Sequence, residues 1–242
     1  MRGTTPTGAR SEQEAAAWVQ GMFGRIAGRY DLANHLLSGN LDRLWRRRAV
    51  RRVREVLNRP GARVLDICCG TADLTMALQR GGPAAVMGSD FCHPMLVEAR
   101  RKTEAPLFES DALRLPLRDG SLDLITVAFG FRNLANYEAG LREMRRVLRP
   151  GGVVAILEFS QPRNTVFAAV YNFYSRRVLP VIGGMLTGAS DAYRYLPASI
   201  EKFPDAEELA AAMRKAGFEP VGYEYLTGGT VALHVGTATS AV

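Results

Sequence analysis

The pattern of hydrophobic and polar positions along this chain changes character near residue 60. Between Ala15 and Leu57 the pattern is helical, with a break at Ser38, Gly39 and Asn40 and a stop at Pro60 and Gly61. From Arg63 onward, short β-branched or apolar runs alternate with helical patterns, the signature of βαβ units around a parallel sheet. The predicted strands are Arg63 to Ile67, Ala85 to Ser89, Pro106 to Glu109, Leu122 to Ala128 and Val153 to Leu157. Before the last of these, Leu141, Met144 and Leu148 form an apolar stripe with Arg142, Arg145 and Arg146 turned away. That predicts a helix stopped by Arg149, Pro150, Gly151 and Gly152. Asp205, with Glu208 three positions on, has the form of a capping box, and Gly217 supplies the stop of that helix. Phe218 to Tyr225 and Thr230 to Val235, joined through Gly228 and Gly229, read as an antiparallel hairpin at the sheet edge. The expected architecture is α/β, a seven-stranded, mostly parallel sheet with an N-terminal helical extension. Residues 1–11 are read as a loose tail, 12–60 as the extension, and 61–242 as the sheet domain, with a helical insert at about 163–204.

Composition narrows the setting. With 242 residues and 47% hydrophobic content, the chain fills one core comfortably and two only with difficulty. No apolar run approaches the roughly 20 residues that cross a bilayer. The nearest, Val178 to Leu186, holds Pro180, Gly183 and Gly184. The first ten residues lack the apolar stretch of an export signal, so a cytoplasmic protein is expected. Cys68, Cys69 and Cys92 include an adjacent pair and no CxxC, which fits neither a disulfide framework nor a zinc site, and no metal is expected. The net charge of +7 is carried almost wholly by arginine, at positions 46, 47, 48, 51, 52 and 54 and again at 142, 145, 146 and 149. It points toward a polyanionic surface, nucleic acid or acidic lipid, while each cluster taken alone reads as a solvated helix face.

Candidate chemistry begins at the end of the first strand, where Asp66, Ile67, Cys68, Cys69, Gly70, Thr71, Ala72 and Asp73 lead into a helix. A dinucleotide would ask for GxGxxG, so that a pyrophosphate can approach the backbone. The single Gly70 argues against it. S-adenosylmethionine has no phosphate: its sulfonium, amino-acid head and ribose call for carboxylates and backbone polar groups, and Asp66 and Asp73 lie near the turn. Asp90, 24 positions after Asp66 at the end of the second strand, can take both ribose hydroxyls. Asp111 and Ala112, just past the third strand, can hold the adenine edge. Each acid also has an ordinary use, Asp66 as a helix cap, Asp90 in a turn and Asp111 in an Asx-turn before Pro116. Their joint placement at three successive strand ends favours a ligand.

The stretches DICCGTADLT, GSDFCHPML, SDALRLPLRDGSLDLITVAFGFRN, LREMRRVLRPGGVVAILEFSQP and YRYLPASIEKFP together resemble the ubiquinone/menaquinone biosynthesis C-methyltransferase family, from about Met22 to Gly236. The resemblance implies a Rossmann-like class I fold and S-adenosyl-L-methionine as cofactor, with contacts at Thr71, Asp90, Asp111 and Ala112. It further implies C-methylation of a polyprenyl quinol. Ala128 stands where the ubiquinone-directed branch tends to have serine, and Ala72 replaces the second glycine of that branch's GTGD motif. Both departures lean toward a naphthoquinol, demethylmenaquinol, with a benzoquinol as the alternative.

Methylating a hydroquinone carbon needs electron density that a neutral phenol, with a pKa of about 10, does not supply, so a base or cation must favour the phenolate. Arg132 and Asn133 after the fourth strand are the candidate catalytic residues, with Arg132 stabilising the phenolate or orienting a water, or else anchoring the N-terminal helices. Tyr193, Tyr195 and His234 are candidate substrate contacts, His234 having a buried structural role as its alternative. Val166 to Leu186, apolar with Arg176 and Arg177 in its midst, reads either as a greasy lip on an anionic membrane surface or as an ordinary buried helix. A homodimer is compatible with all of this. A nucleic-acid methyltransferase is the rival from another class, motivated by the charge, but Phe129, Gly130, Phe131, Arg132 and Asn133 stand where an amine-methylating enzyme usually carries an (Asp/Asn/Ser)-Pro-Pro-(Tyr/Phe) segment. No nucleic-acid partner is therefore expected, and a catalytically silent cofactor-binding protein is the third reading.

Overall fold

The computed structural model describes residues 3–6, 8–162 and 164–240; a few side chains within 166–190 lie outside that description. The helical extension consists of α1 (Glu12–Ile26), α2 (Tyr30–Leu37), α3 (Leu41–Arg52) and the single turn α4 (Arg54–Leu57). Ser11 caps α1 by accepting the Glu14 N–H. Asn40, at φ 62°, turns the chain from α2 into α3, where the sequence break at Ser38 to Asn40 is expected.

The sheet domain alternates β1 (Arg63–Ile67), α5 (Asp73–Gln79), β2 (Ala85–Asp90), α6 (His93–Arg100), β3 (Leu107–Glu109), β4 (Leu122–Ala128), α7 (Tyr137–Val147) and β5 (Leu148–Phe159). Helices α8 (Thr165–Phe173), α9 (Leu179–Thr187) and α10 (Ser190–Lys202) follow, then α11 (Ala206–Lys215), β6 (Phe218–Leu226) and β7 (Val231–Ala238). The sheet order is β3-β2-β1-β4-β5-β7-β6. Strands β1 to β5 pair in parallel, and β7 runs antiparallel to both β5 and β6.

One expectation needs correction. Leu148 belongs to β5 and not to the preceding helix: α7 ends at Val147, and Leu148 pairs with Leu122 across an irregularity in the β4–β5 register. The apolar stripe still buries itself, since Leu141, Met144, Val147 and Leu148 are all nearly inaccessible. Each such side chain contributes about 1.5–3 kcal/mol relative to exposure. The capping box at Asp205 and Glu208 is present with both reciprocal hydrogen bonds.

Strand alternation distributes the core between two layers. Leu65 and Ile67 of β1 face α7 and α11, whereas Val64 faces α4 and α5. A further cluster joins Met22 and Ile26 of α1, Ala33 of α2, Met95 of α6, Leu179 of α9 and Tyr193 of α10. This helical layer roofs the loops that leave β1, β2 and β4, which is where the candidate chemistry lies.

Candidate active site

The turn after β1 has left-handed backbone at Cys68 (φ 50°), Gly70 (φ 54°) and Ala72 (φ 69°). Only one of the three is glycine, so the turn carries backbone strain of a kind that concentrates at functional sites. It presents the Gly70 N–H to Asp90 Oδ2 at 2.8 Å, while the Cys92 N–H donates to Asp90 Oδ1 at 2.9 Å. Asp90 is 6% exposed; burial pushes its carboxyl up to about 6, against the pull of the backbone donors. Asp111 Oδ1 accepts from the Leu113 N–H at 2.8 Å, the Asx-turn its sequence position suggests. Gly70, Asp90, Asp111, Ala112 and Asn133 line one cleft together with Ala16 and Phe23 of α1, Tyr30 of α2 and Phe129.

Thr71 lies beside that cleft with its side chain turned elsewhere. Its hydroxyl donates to Asp31 of α2 at 2.5 Å, and Lys102 ties Asp31 to Asp73 at 2.7 and 2.5 Å. Asp66 is not brought to the cleft at all. Strand alternation turns it toward α5, where its carboxylate accepts from the Thr75 and Thr126 hydroxyls at 2.7 and 2.8 Å and is 1% exposed. Burial pushes its carboxyl up to about 7, well above the usual carboxylate range. Because the folded state then holds the proton more tightly than the unfolded chain, Asp66 should weaken the fold progressively as pH rises from about 4 to about 7. Asp66→Asn should therefore flatten this part of the stability profile, raising the melting temperature relative to wild type by a few degrees at pH 8 and by less at pH 4. Thermal melts over that range decide it; an unchanged slope would refute it.

Next to the cleft, sharing Phe23, Tyr30 and Phe129 as a common wall, is a cavity of about 360 Å³. Its lining is largely apolar and aromatic, with Trp45 of α3, Phe159 at the end of β5, Tyr171 and Tyr174 from the α8 region, and Tyr193 and Tyr195 of α10. Phe129 holds a left-handed backbone (φ 60°), with its ring 4.8 Å from that of Phe159 and 5.8 Å from that of Trp45.

Arg132 reaches the same cavity and is 5% exposed. Its Nη1 donates to Glu158 Oε1 at 2.8 Å and its Nε to Ser199 Oγ at 3.3 Å, while the guanidinium carbon lies 5.1 Å from the centre of the Phe159 ring. Burial is the largest single influence and works against its charge, but the Glu158 carboxylate, joined by Tyr195 and Tyr30, outweighs it in sum and keeps Arg132 charged. Its Nη2 has no hydrogen-bond partner among the described residues. Asn133 Oδ1 accepts from the Tyr195 hydroxyl at 3.0 Å, linking the cleft wall to α10.

His234 stands apart. It alternates with Leu233, which packs toward Trp45, and so faces α11, where Nε2 lies 2.8 Å from the Ala206 carbonyl. Desolvation lowers its pKa to about 4, so it is neutral, and it is not among the residues lining the cavity. The contribution that sequence reasoning missed is the roof: Tyr30, Asp42 and Arg46 line the cavity from α2 and α3. Asp42, buried at 4%, accepts from Ser38 Oγ, pairs with Arg46 and lies 2.8 Å from His35 Nδ1. The signal was Asp42 and Arg46 at i and i+4 flanking Trp45, a pairing that binds the arginine inward.

Reversal of β7 between β5 and β6, together with a one-glycine turn closed by the acid at the end of β2, separates this sheet from a dinucleotide-binding one and defines the Rossmann-like class I methyltransferase fold. Solved structures agree on the fold. A SAM-dependent methyltransferase of Thermotoga maritima superposes with a TM-score of 0.64 at 21% identity, covering 89% of this chain and 97% of that one. The [4+2]-cyclase SpnF gives 0.66 at 17% identity, covering 99% and 100%. The chain belongs to the ubiE/COQ5 methyltransferase family, whose model matches residues 9–238. Among its relatives, the demethylmenaquinone methyltransferase of Thermus thermophilus is 51% identical over 89% of this chain and 99% of its own length. That of Deinococcus radiodurans is 46% identical over 93% and 94%. The ubiquinone/menaquinone biosynthesis C-methyltransferase UbiE of Geotalea uraniireducens is 41% identical over 90% and 95%.

Proposed function

We propose that this methyltransferase moves the methyl group of S-adenosylmethionine to a ring carbon of demethylmenaquinol, giving menaquinol. The observation that carries the reading is the aromatic cavity of about 360 Å³ that shares a wall with the acid-lined cleft and holds a charged arginine. The naming of the Thermus and Deinococcus relatives supports it.

The cleft suits the donor. Its described lining includes the carboxylates Asp90 and Asp111 and no lysine or arginine, a donor set matched to a sulfonium and a ribose and opposed to a phosphate. Asp90 would hold the ribose hydroxyls, with Ala112 and Asp111 at the base. S-adenosylmethionine supplies an electrophilic methyl and leaves as a neutral thioether. Arg132 acts on the acceptor. With its charge held by Glu158 and Nη2 available, it favours the phenolate of the bound quinol and so raises electron density at the ortho carbon. The phenolic proton passes to water, the new carbon–carbon bond forms, and the displaced ring proton leaves as the oxygen is reprotonated, with one net proton released. The shared wall of Phe23, Tyr30 and Phe129 excludes water from the attraction between phenolate and sulfonium.

Incubation with methyl-labelled donor and a short-tailed demethylmenaquinol kept reduced should place label in the quinol; absence of label would overturn the reading. The oxidised quinone, being electron-poor, should take up none.

The isoprenoid tail makes a membrane the source of the substrate. Among the described residues no helix is long and apolar enough to cross one. Leu32 and Leu36 of α2, Leu44 of α3, and Phe173, Val181 and Met185 of α8 and α9 are exposed beside elements that line the cavity, with Arg43 and Arg47 exposed near them. Phe167, Val170 and Arg176 of the expected lip lie outside the described side chains. Such a face fits shallow insertion into anionic lipid. Leu36→Glu combined with Met185→Glu should reduce sedimentation with phosphatidylglycerol vesicles at least about tenfold while leaving turnover of a short-tailed quinol in place. Undiminished sedimentation would rule out this face.

A further inference from the structure

Arg46 lies in the arginine run that sequence alone assigns to a solvated helix face, yet its side chain is only 12% exposed and lines the large cavity. Its Nη1 pairs with Asp42 of the same helix, and its Nη2 lies 3.7 Å from Asp73 at the start of α5. At that distance Nη2 makes no hydrogen bond among the described residues and, unlike the wholly enclosed Nε, it is not sealed off from the cavity. A buried charged donor without an acceptor is costly, and orphan donors are rare in folded proteins. One in a cavity wall marks where an acceptor on a ligand belongs.

Its position gives that acceptor an identity. The Arg46 guanidinium carbon lies 5.7 Å from the centre of the Phe129 ring, as that of Arg132 lies 5.1 Å from Phe159, and the two rings are neighbours. The cavity thus has an aromatic floor with a guanidinium over each half, and on each guanidinium Nη2 has no hydrogen-bond partner among the described residues. A flat ring bearing oxygens at opposite ends is the ligand shape that two such donors call for.

We propose that Arg46 is a second substrate-contacting cation: its Nη2 donates to one oxygen of a bound aromatic 1,4-diol while Arg132 faces the other, so that the pair clamps the ring and holds it as the oxyanion. This rests on the quinol reading above and deepens it. The charged and titratable groups around Arg46 are Asp42 on its own helix, His35 and Tyr30 on α2, Asp73 on α5 and Asp66 in β1, with Arg132 and Glu158 across the cavity. A test that reads the ligand's own ionisation is therefore needed.

A chromogenic naphthol, 4-nitro-1-naphthol, serves, because its anion absorbs in the visible whatever the protein's groups do. Bound to wild type it should ionise at least one pH unit lower than in water, which is a tenfold preference for the anion. Arg46→Gln should lose most of that shift. Arg46→Lys, which keeps a cation for Asp42 and so protects the fold, should retain only part of it. Arg48→Gln, which alters an exposed pair with Glu224, should match wild type. In methyl transfer, the deficit of Arg46→Gln should shrink as pH rises and the quinol ionises unaided; a purely structural role would lower the rate equally at every pH. A probe that titrates in the wild-type site as it does in water, or an Arg46→Lys protein with the full wild-type shift, would overturn the proposal. Methyl transfer by wild type with an unshifted probe defeats this inference alone. A shifted probe without methyl transfer leaves an aromatic oxyanion site and defeats the quinol reading.

Discussion

Arg132→Ala should melt roughly 10 °C below wild type and lose about a thousandfold or more in turnover, and these two effects have separable causes. Glu158 is 1% exposed, with Arg132 as its cation and the Phe159 N–H as a further donor. Removing one partner of a buried pair costs about 3–5 kcal/mol, because the survivor remains desolvated and uncompensated. In a domain of this size each kcal/mol moves the melting temperature by about 2–4 °C. The rate loss arises instead from the phenolate, which loses its charged neighbour in a low-dielectric cavity. The double variant Arg132→Met with Glu158→Leu separates the two, since it removes the stranded carboxylate with the arginine. It should recover most of the melting temperature and none of the turnover. Recovery of both would make Arg132 an anchor only.

Asp90→Asn should raise the dissociation constant for the methyl donor about a hundredfold and loosen the turn after β1. Both carboxylate oxygens of Asp90 accept backbone N–H groups, from Gly70 and Cys92. An amide can satisfy only one, and its own NH₂ then confronts the other donor, a conflict worth about 1–3 kcal/mol. Wild type should show a related trend with pH. Burial sets the Asp90 carboxyl near 6, so the acceptor form prevails at pH 8 and is lost as pH falls through about 6. Donor affinity should decline about tenfold per unit below that point. Calorimetric titration of the donor at pH 8, 6 and 5 measures both effects, and an affinity flat across that range would remove the carboxylate from donor binding.

The sheet was legible because strands and helices impose different periods, and the arginines of α7 mark its outer face while Leu141 and Met144 mark the inner one. What periodicity does not carry is the side of the sheet on which a polar residue falls. Asp66 and Asp90 look alike in sequence, each an acid at the carboxyl end of a strand. Asp66, however, pairs in register with Thr126 and turns into the layer of α5, and Asp90 ends its strand facing the turn. His234 takes the buried structural role, its alternative in sequence, for the same reason, one residue of alternation away from the Trp45 layer. The roof was hidden differently. Arg46, in a run with Arg47 and Arg48, has the composition of a solvated face, and only the partners of its guanidinium, on α3 and α5, turn it inward. Asp42 at i−4 is the one local trace of this; the approach to Asp73 on α5 leaves none in local spacing. Glu158 shows the same limit, as its buried role depends on an arginine 26 positions earlier.

The shared wall of Phe23, Tyr30 and Phe129 divides the site into halves of different mechanical origin. The donor half hangs on strand ends, whose positions are locked by backbone register and tolerate almost no redesign. The acceptor half is framed by side chains of α2, α3 and α10, where repacking changes cavity shape without disturbing the sheet. Selectivity for one ring system over another can therefore drift, or be engineered, at Asn34, Leu41 and Leu196 while the grip on the methyl donor stays inherited. That division of labour allows one scaffold to acquire new acceptors without relearning its chemistry.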